Sequence, residues 1–253
     1  MIAYLSATGN SRHVALRLSE RLGDSRLVDL SDYLKGTTTP LLLNKGESLG
    51  FVFPVHSWGL PKGFAELLRT LPIEGISPAT YCYMVCTCGD DCGLAAGQWR
   101  KAVRRDGLKG KAAFSVFMPN TYVIFPGFDV DSDTVRDRKL ADSETAIASI
   151  AESISNRKEG DFTHHGSFAW LKSKVIYPGF MLTVSDKPFR ATDRCIGCGL
   201  CAKVCPTANI RLIDGRPQWQ GNCLNCLACY HRCPADAIVF GRKTNGKGKY
   251  FYP

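Results

Sequence analysis

Long hydrophobic runs are missing from this chain of 253 residues. Nothing approaches the roughly 18 consecutive apolar residues that a membrane-spanning helix requires. The opening residues, Met1-Ile2-Ala3-Tyr4-Leu5, read as a strand and lack the basic n-region and small-residue cleavage site of a secretory leader. A Gly-Lys pair followed by Ser or Thr does not occur, and neither does G-x-G-x-x-G, so a Walker loop and a dinucleotide fingerprint are both excluded. Without that fingerprint, direct oxidation of a nicotinamide cofactor is not expected. Acidic excess is absent too: 32 Lys and Arg stand against 23 Asp and Glu, a formal charge of +9.

Cysteine, by contrast, is abundant at twelve residues, and eight of these form one pattern written twice. Cys195, Cys198, Cys201 and Cys205-Pro206 repeat 28 residues later as Cys223, Cys226, Cys229 and Cys233-Pro234. Each half reads C-x2-C-x2-C-x3-C-P. Three closely spaced thiolates wrap one corner of an iron-sulfide cube, and the fourth iron lies too far round, so the fourth cysteine of each run serves the other cluster. The spacing assigns cluster one to Cys195, Cys198, Cys201 and Cys233, and cluster two to Cys223, Cys226, Cys229 and Cys205. Two structural zinc sites are the competing reading, but zinc modules bring C-x2-C pairs from separate loops. Ile210 and Ile238 recur at the repeat offset, as two similar halves packing on one small core require. This segment, about residues 190 to 240, resembles a bacterial-type two-cluster ferredoxin. About fifty residues bury too little surface to hold alone, so cluster ligation is expected to complete that fold.

Two oxidised clusters with their thiolates contribute about −2 each and a phosphate monoester nearly −2, which lowers the holo charge to roughly +3. The basic excess then balances cofactors, and nucleic acid is not an expected partner. Without a leader, the chain is expected in the cytoplasm with its thiols reduced.

The N-terminal strand is followed by Ser6-Ala7-Thr8-Gly9-Asn10-Ser11 and a helix with Val14, Ala15, Leu18 and Leu22 on one face. Small hydroxyl residues around a glycine at a strand-to-helix turn make an anion cradle; the plainer alternative is a helix cap by Asn10 or Ser11. Further strands are expected at 26–30, 49–55, 80–87 and 111–118, with helices at 63–70, 93–105 and 134–156. Together these predict an α/β fold, a doubly wound five-stranded parallel sheet over 1–159. Ligands of such sheets sit beyond the carboxyl ends of the strands.

The cradle and this order of elements resemble flavodoxin, whose T/S-x-T-G-x-T/S phosphate loop is matched by Ser6, Thr8, Gly9 and Ser11, with Asn10 at the free position. The resemblance implies FMN. It places the ring between Pro54-Val55-His56-Ser57-Trp58-Gly59 and Thr87-Cys88-Gly89-Asp90, with Trp58 stacking on it and Tyr122 a candidate for its outer face. His56 reads as a loop histidine, and no residue is singled out as catalytic.

Of the remaining cysteines, Cys82 and Cys86 are expected to pack inertly, while Cys88 and Cys92 lie four residues apart at the predicted flavin edge, where a redox dithiol is an alternative to simple packing. Residues 160–190 hold Phe168, Trp170, Tyr177, Phe180 and Phe189 without firm periodicity, and are expected to seat a small α+β domain, 191–253, on the large one. Lys172 and Lys174 beside Trp170, Val175 and Ile176 form an alternative membrane-grazing surface. The basic end, 242–253, reads as a flexible tail or a dock for an acidic redox protein. The full order resembles fused flavodoxin-ferredoxin electron-transfer proteins, which implies FMN and two 4Fe-4S clusters exchanging electrons with a protein partner. The alternative is an FMN-dependent reductase of a small molecule such as a quinone. The oligomeric state has no signature in the sequence.

Overall fold

A computed structural model of the chain describes residues 1–252. The N-terminal part alternates strands and helices: β1 (Ile2–Tyr4), α1 (Asn10–Arg21), β2 (Leu27–Asp29), α2 (Ser31–Leu34), β3 (Leu41–Leu42) and β4 (Leu49–Pro54). These are followed by α3 (Phe64–Thr70), β5 (Ile73–Glu74), β6 (Cys82–Cys88), α4 (Ala95–Val103), β7 (Gly110–Phe117), α5 (Asp133–Ser155) and β8 (Gly160–Phe162). Short β3 and β5 pair only with each other; the other six form one sheet in the order β2-β1-β4-β6-β7-β8, every neighbour parallel. Its first five positions follow the flavodoxin-like order, with the chain reversing direction across the sheet between β1 and β4.

The sheet is buried on both faces, which explains why its central strands are continuous apolar runs instead of alternating ones. On one face Phe51, Phe53, Met84 and Trp99 form a core beneath α3 and α4; on the other, Val14, Leu18, Tyr83, Val85 and Ile147 form a second beneath α1 and α5. Edge strand β8 is a sixth strand beyond the five expected, and it draws three residues from the expected linker.

Beyond β8 the aromatic segment is helical: α6 (Ala169–Leu171), a π-helical turn (Lys172–Ile176) and α7 (Tyr177–Thr183) run without a break. The C-terminal part pairs β9 (Phe189–Ala191) with β12 (Ile238–Phe240), and β10 (Ile210–Ile213) with β11 (Arg216–Trp219), both antiparallel. Two short helices, α8 (Leu200–Lys203) and α9 (Ala228–His231), complete it. Phe189, Ile210, Leu227, Tyr230, Ile238 and Phe240 build its core, with the repeat-related isoleucines both buried. That core is shared: Val123 and Ile124, from the loop after β7, are part of it.

Candidate functional site

Two cavities of about 330 and 310 Å³ lie side by side in the C-terminal part. The first is lined by Cys195, Cys198, Cys201 and Cys233 with Pro234. The second is lined by Cys205, Cys223, Cys226 and Cys229 with Pro206. The fourth cysteine of each run thus leaves its own three and lines the other cavity. Related backbone geometry brings an N–H to each crossing sulfur: Asn209 donates to Cys205 Sγ and Ala237 to Cys233 Sγ, both at 3.3 Å. Asn225 N–H points at Cys223 Sγ at the same distance. Such donors stabilise thiolate and tune whatever metal it holds.

The two cavities differ in depth. Cys198 and neighbouring Ile196, 69% exposed, sit at the mouth of the first. Burial pushes the thiol of Cys223 up to about 11 and that of Cys226, in the second, up to about 12. A bare thiolate is therefore unfavourable there, and the compensating charge of a metal would be needed to permit it.

At the carboxyl end of the large sheet the Ser6–Ser11 loop turns into α1. Gly9 occupies the N-cap at φ 101°, and no side chain caps the helix. Asn10 and Ser11 are spent elsewhere: Asn10 Nδ2 donates to the Pro119 carbonyl at 2.9 Å, and Ser11 Oγ shares a hydrogen bond of 2.8 Å with Thr87 Oγ1. The first helical turn carries no acidic residue. Uncapped N–H groups at the positive end of a twelve-residue helix, beside the hydroxyls of Ser6 and Thr8, suit an anion of the phosphate kind.

Pro54 ends β4, and the hairpin after it, Val55 to Gly59, is closed by paired hydrogen bonds between His56 and Gly59, with Ser57 and Trp58 at φ 48° and 65°. Positive φ at both central residues is a type I′ arrangement, and Trp58 is half-buried there. Thr87 and Cys88 end β6, with Gly89 packed beside Asn120 and Asp90 at the loop tip. The three expected loops therefore converge on one sheet edge, tied by Ser11 to Thr87 and by Asn10 to Pro119.

Residues 190–211 match the family model of the 4Fe-4S binding domain. Ferredoxin-like proteins of the nif region from Trichormus variabilis and Trichormus azollae are each 38% identical over 48 residues, 18% of this chain and 41% of theirs. The chain thus covers less than half the length of those relatives. The C-terminal part is a 4Fe-4S ferredoxin-type module. Among solved structures, a flavodoxin of Streptococcus pneumonia TIGR4 overlaps 62% of this chain and 97% of its own at 12% identity, TM-score 0.36. The Trp repressor binding protein of Bacillus subtilis overlaps 59% and 99%, also at 12% identity, TM-score 0.31.

The ferredoxin-type module sits on the expected ring loops. His56 lies close to the Leu224 backbone, between two cysteines of the second cavity, and burial lowers its pKa to about 4. Lys62 Nζ donates to the Val184 carbonyl at 3.3 Å. The connecting helix adds three ties: Ser173 Oγ accepts from Leu94 N–H and donates to the Trp58 carbonyl, both at 2.8 Å, and Tyr177 OH donates to the Leu60 carbonyl at 2.8 Å. Gly59 is required here, since a Cβ would enter the Tyr177 ring. The Trp58 ring is faced by Lys172 Nζ at 5.2 Å. Tyr122 lies on the module side of the edge, packed against its core and edge-on to Phe180 at 5.8 Å.

The four remaining cysteines, Cys82, Cys86, Cys88 and Cys92, are all free and buried. Cys92 reaches back to Cys86 inside the core, and its thiol donates to the His164 carbonyl at 3.2 Å. The bond with Cys92 and burial together push the Cys86 thiol up, and burial does the same to Cys88. Cys82 is wholly buried, and burial pushes its thiol up. The basic end is not a loose tail: residues 247–252 run along the large domain, with Tyr252 N–H donating to the Thr8 carbonyl at 2.8 Å. No sequence signal announced that contact. Among the described residues no helix is long and apolar enough to cross a membrane.

Proposed function

We propose that this chain is an iron-sulfur flavoprotein that links one-electron protein carriers to FMN through two 4Fe-4S clusters. The observation that carries this reading is the crossed lining of two cysteine cavities in a module that packs against the expected ring loop at His56. A cysteine-lined cavity and the flavin-type edge of the sheet thereby share one contact. When bound, the clusters supply single electrons and the flavin accepts one or two.

The chain's own residues divide the remaining work. Cys195, Cys198, Cys201 and Cys233 would hold the outer cluster, and Cys205, Cys223, Cys226 and Cys229 the inner one. Thr8, Gly9 and the uncapped first turn of α1 would hold the FMN phosphate, while the hairpin at Trp58 and the turn at Gly89 flank the ring. Exposed Ile196 and Cys198 offer the outer cavity to a redox protein, and the inner one is covered by the contact with the large domain.

Anaerobic purification with iron, sulfide and flavin counts tests the cofactor set. Eight irons and one FMN per chain are expected, on the order of two cubanes and one flavin. Four irons or none, or a protein that takes up no FMN, would overturn it. Replacing Cys195 with Ser, with FMN in excess, should then slow flavin reduction by a protein donor but not by a small chemical reductant.

A further inference from the structure

The end of the chain returns from the ferredoxin-type module to the phosphate loop. Tyr252 N–H bonds the Thr8 carbonyl, the Tyr252 ring stacks on His13 at 4.2 Å, and Tyr250 OH bonds Asn10 Oδ1 at 3.3 Å. The fit at Gly9 is tight enough that a Cβ there would collide with the Tyr252 backbone. The carbonyl of Thr8 faces this strap while the N–H groups at the start of α1 are left for an anion. The strap therefore packs directly on the loop.

Its anchors on the module side fall within one short stretch. Tyr230 OH donates to the Lys247 carbonyl at 2.9 Å, His231 Nδ1 accepts Tyr250 N–H at 3.2 Å, and the Arg232 guanidinium lies over the Phe251 ring at 4.6 Å. His231 Nε2 also bonds the Thr121 carbonyl at 2.7 Å, and with Nδ1 accepting it is the Nε2 atom that donates. These three residues stand between Cys229, which lines the second cavity, and Cys233, which lines the first. Loading both cavities clamps this stretch at both ends.

We infer that residues 247–252 are positioning residues of the flavin phosphate site, through which iron-sulfur assembly in the module controls how tightly FMN is held. The inference rests on the FMN reading above. The physical basis is a contiguous chain of contacts from Cys229 and Cys233, through residues 230–232 and the strap, to Thr8, Gly9 and Asn10. Metal binding orders a small module that cannot hold itself together, and the coupling is reciprocal, so FMN also protects the clusters.

The test compares the loaded full-length protein, the same protein stripped of iron by a chelator, Tyr252→Ala, Tyr252→Phe, and a chain ending at residue 246. Amide exchange of residues 6–12 is followed without FMN, the FMN Kd by fluorescence quenching, and iron content throughout. The iron-stripped and shortened chains should exchange this loop faster and bind FMN about tenfold more weakly or worse. Tyr252→Ala should fall between, and Tyr252→Phe, which keeps the stack on His13, should match wild type. Unchanged loop exchange and Kd in the iron-stripped protein and in Tyr252→Ala would overturn the inference, whether or not the shortened chain folds. If loaded wild type binds no FMN, the flavin reading falls, and the exchange data still decide whether the strap transmits cluster loading.

Discussion

At the scale of single residues, Cys205 and Cys233 carry the sharpest consequence of the crossed lining. Under the proposed assignment, Cys205→Ser should damage the centre that Cys223, Cys226 and Cys229 would hold, and Cys233→Ser the one that Cys195, Cys198 and Cys201 would hold. Paramagnetic spectra of the two variants check this, and a Cys205→Ser spectrum that perturbs the outer centre alone contradicts it. His56 gives a pH-dependent consequence. Burial holds its folded pKa near 4, below the ordinary value of 6.5, so the unfolded chain binds the proton first as pH falls. The stability attached to neutral His56 is complete above about pH 6.5 and is lost progressively down to about pH 4. Denaturation midpoints of wild type and His56→Gln should therefore differ most at neutral pH and converge in acid. All three residues were visible in the sequence, the cysteines with their partners because ligand spacing is local. The neighbour of His56 was not visible, because Leu224 is brought to it only by the docking of one domain on the other.

At the scale of elements, the connecting helix shows where sequence periodicity loses its power. Residues 168–183 looked aperiodic because a π-helical turn shifts the register within Lys172–Ile176, and because Phe168, Trp170, Leu171 and Leu182 point into solvent. Its polar inner face does the holding. Ser173, 3% exposed, satisfies Leu94 N–H and the Trp58 carbonyl at once. Ser173→Val strands both part-buried groups and should cost about 1 kcal/mol or more. Urea unfolding measures that cost, and faster amide exchange at residues 56–60 and 92–94 locates it. The main strands β4, β6 and β7 were legible as long apolar runs, whereas β8 has three residues at an edge and little pattern to show. The strap was read as a solvated basic tail for a related reason: its meaning lies in contacts with Thr8 and His13, more than two hundred residues away, and no local pattern encodes them.

At the scale of the whole molecule, the two cavities are arranged by depth. The outer one opens beside Ile196 and Cys198, and the inner one lies against the loop of His56 and Lys62. Electron transfer weakens steeply with distance, so a protein donor that docks at the outer mouth has a route inward, whereas the face toward the large domain is already occupied. Ile196 is suited to test this because it lines the outer cavity without being a ligand, and its side chain is largely exposed. Ile196→Asn removes apolar docking surface while leaving every cysteine in place, and the iron content should match wild type. Stopped-flow reduction by a ferredoxin-type donor should slow several-fold, about the loss expected when one exposed apolar contact of a small redox interface is removed. Reduction by dithionite, which needs no docking, should be unchanged. If instead the protein donor reduces the variant at the wild-type rate, electrons enter elsewhere, and the proposal that the outer cavity is their port fails.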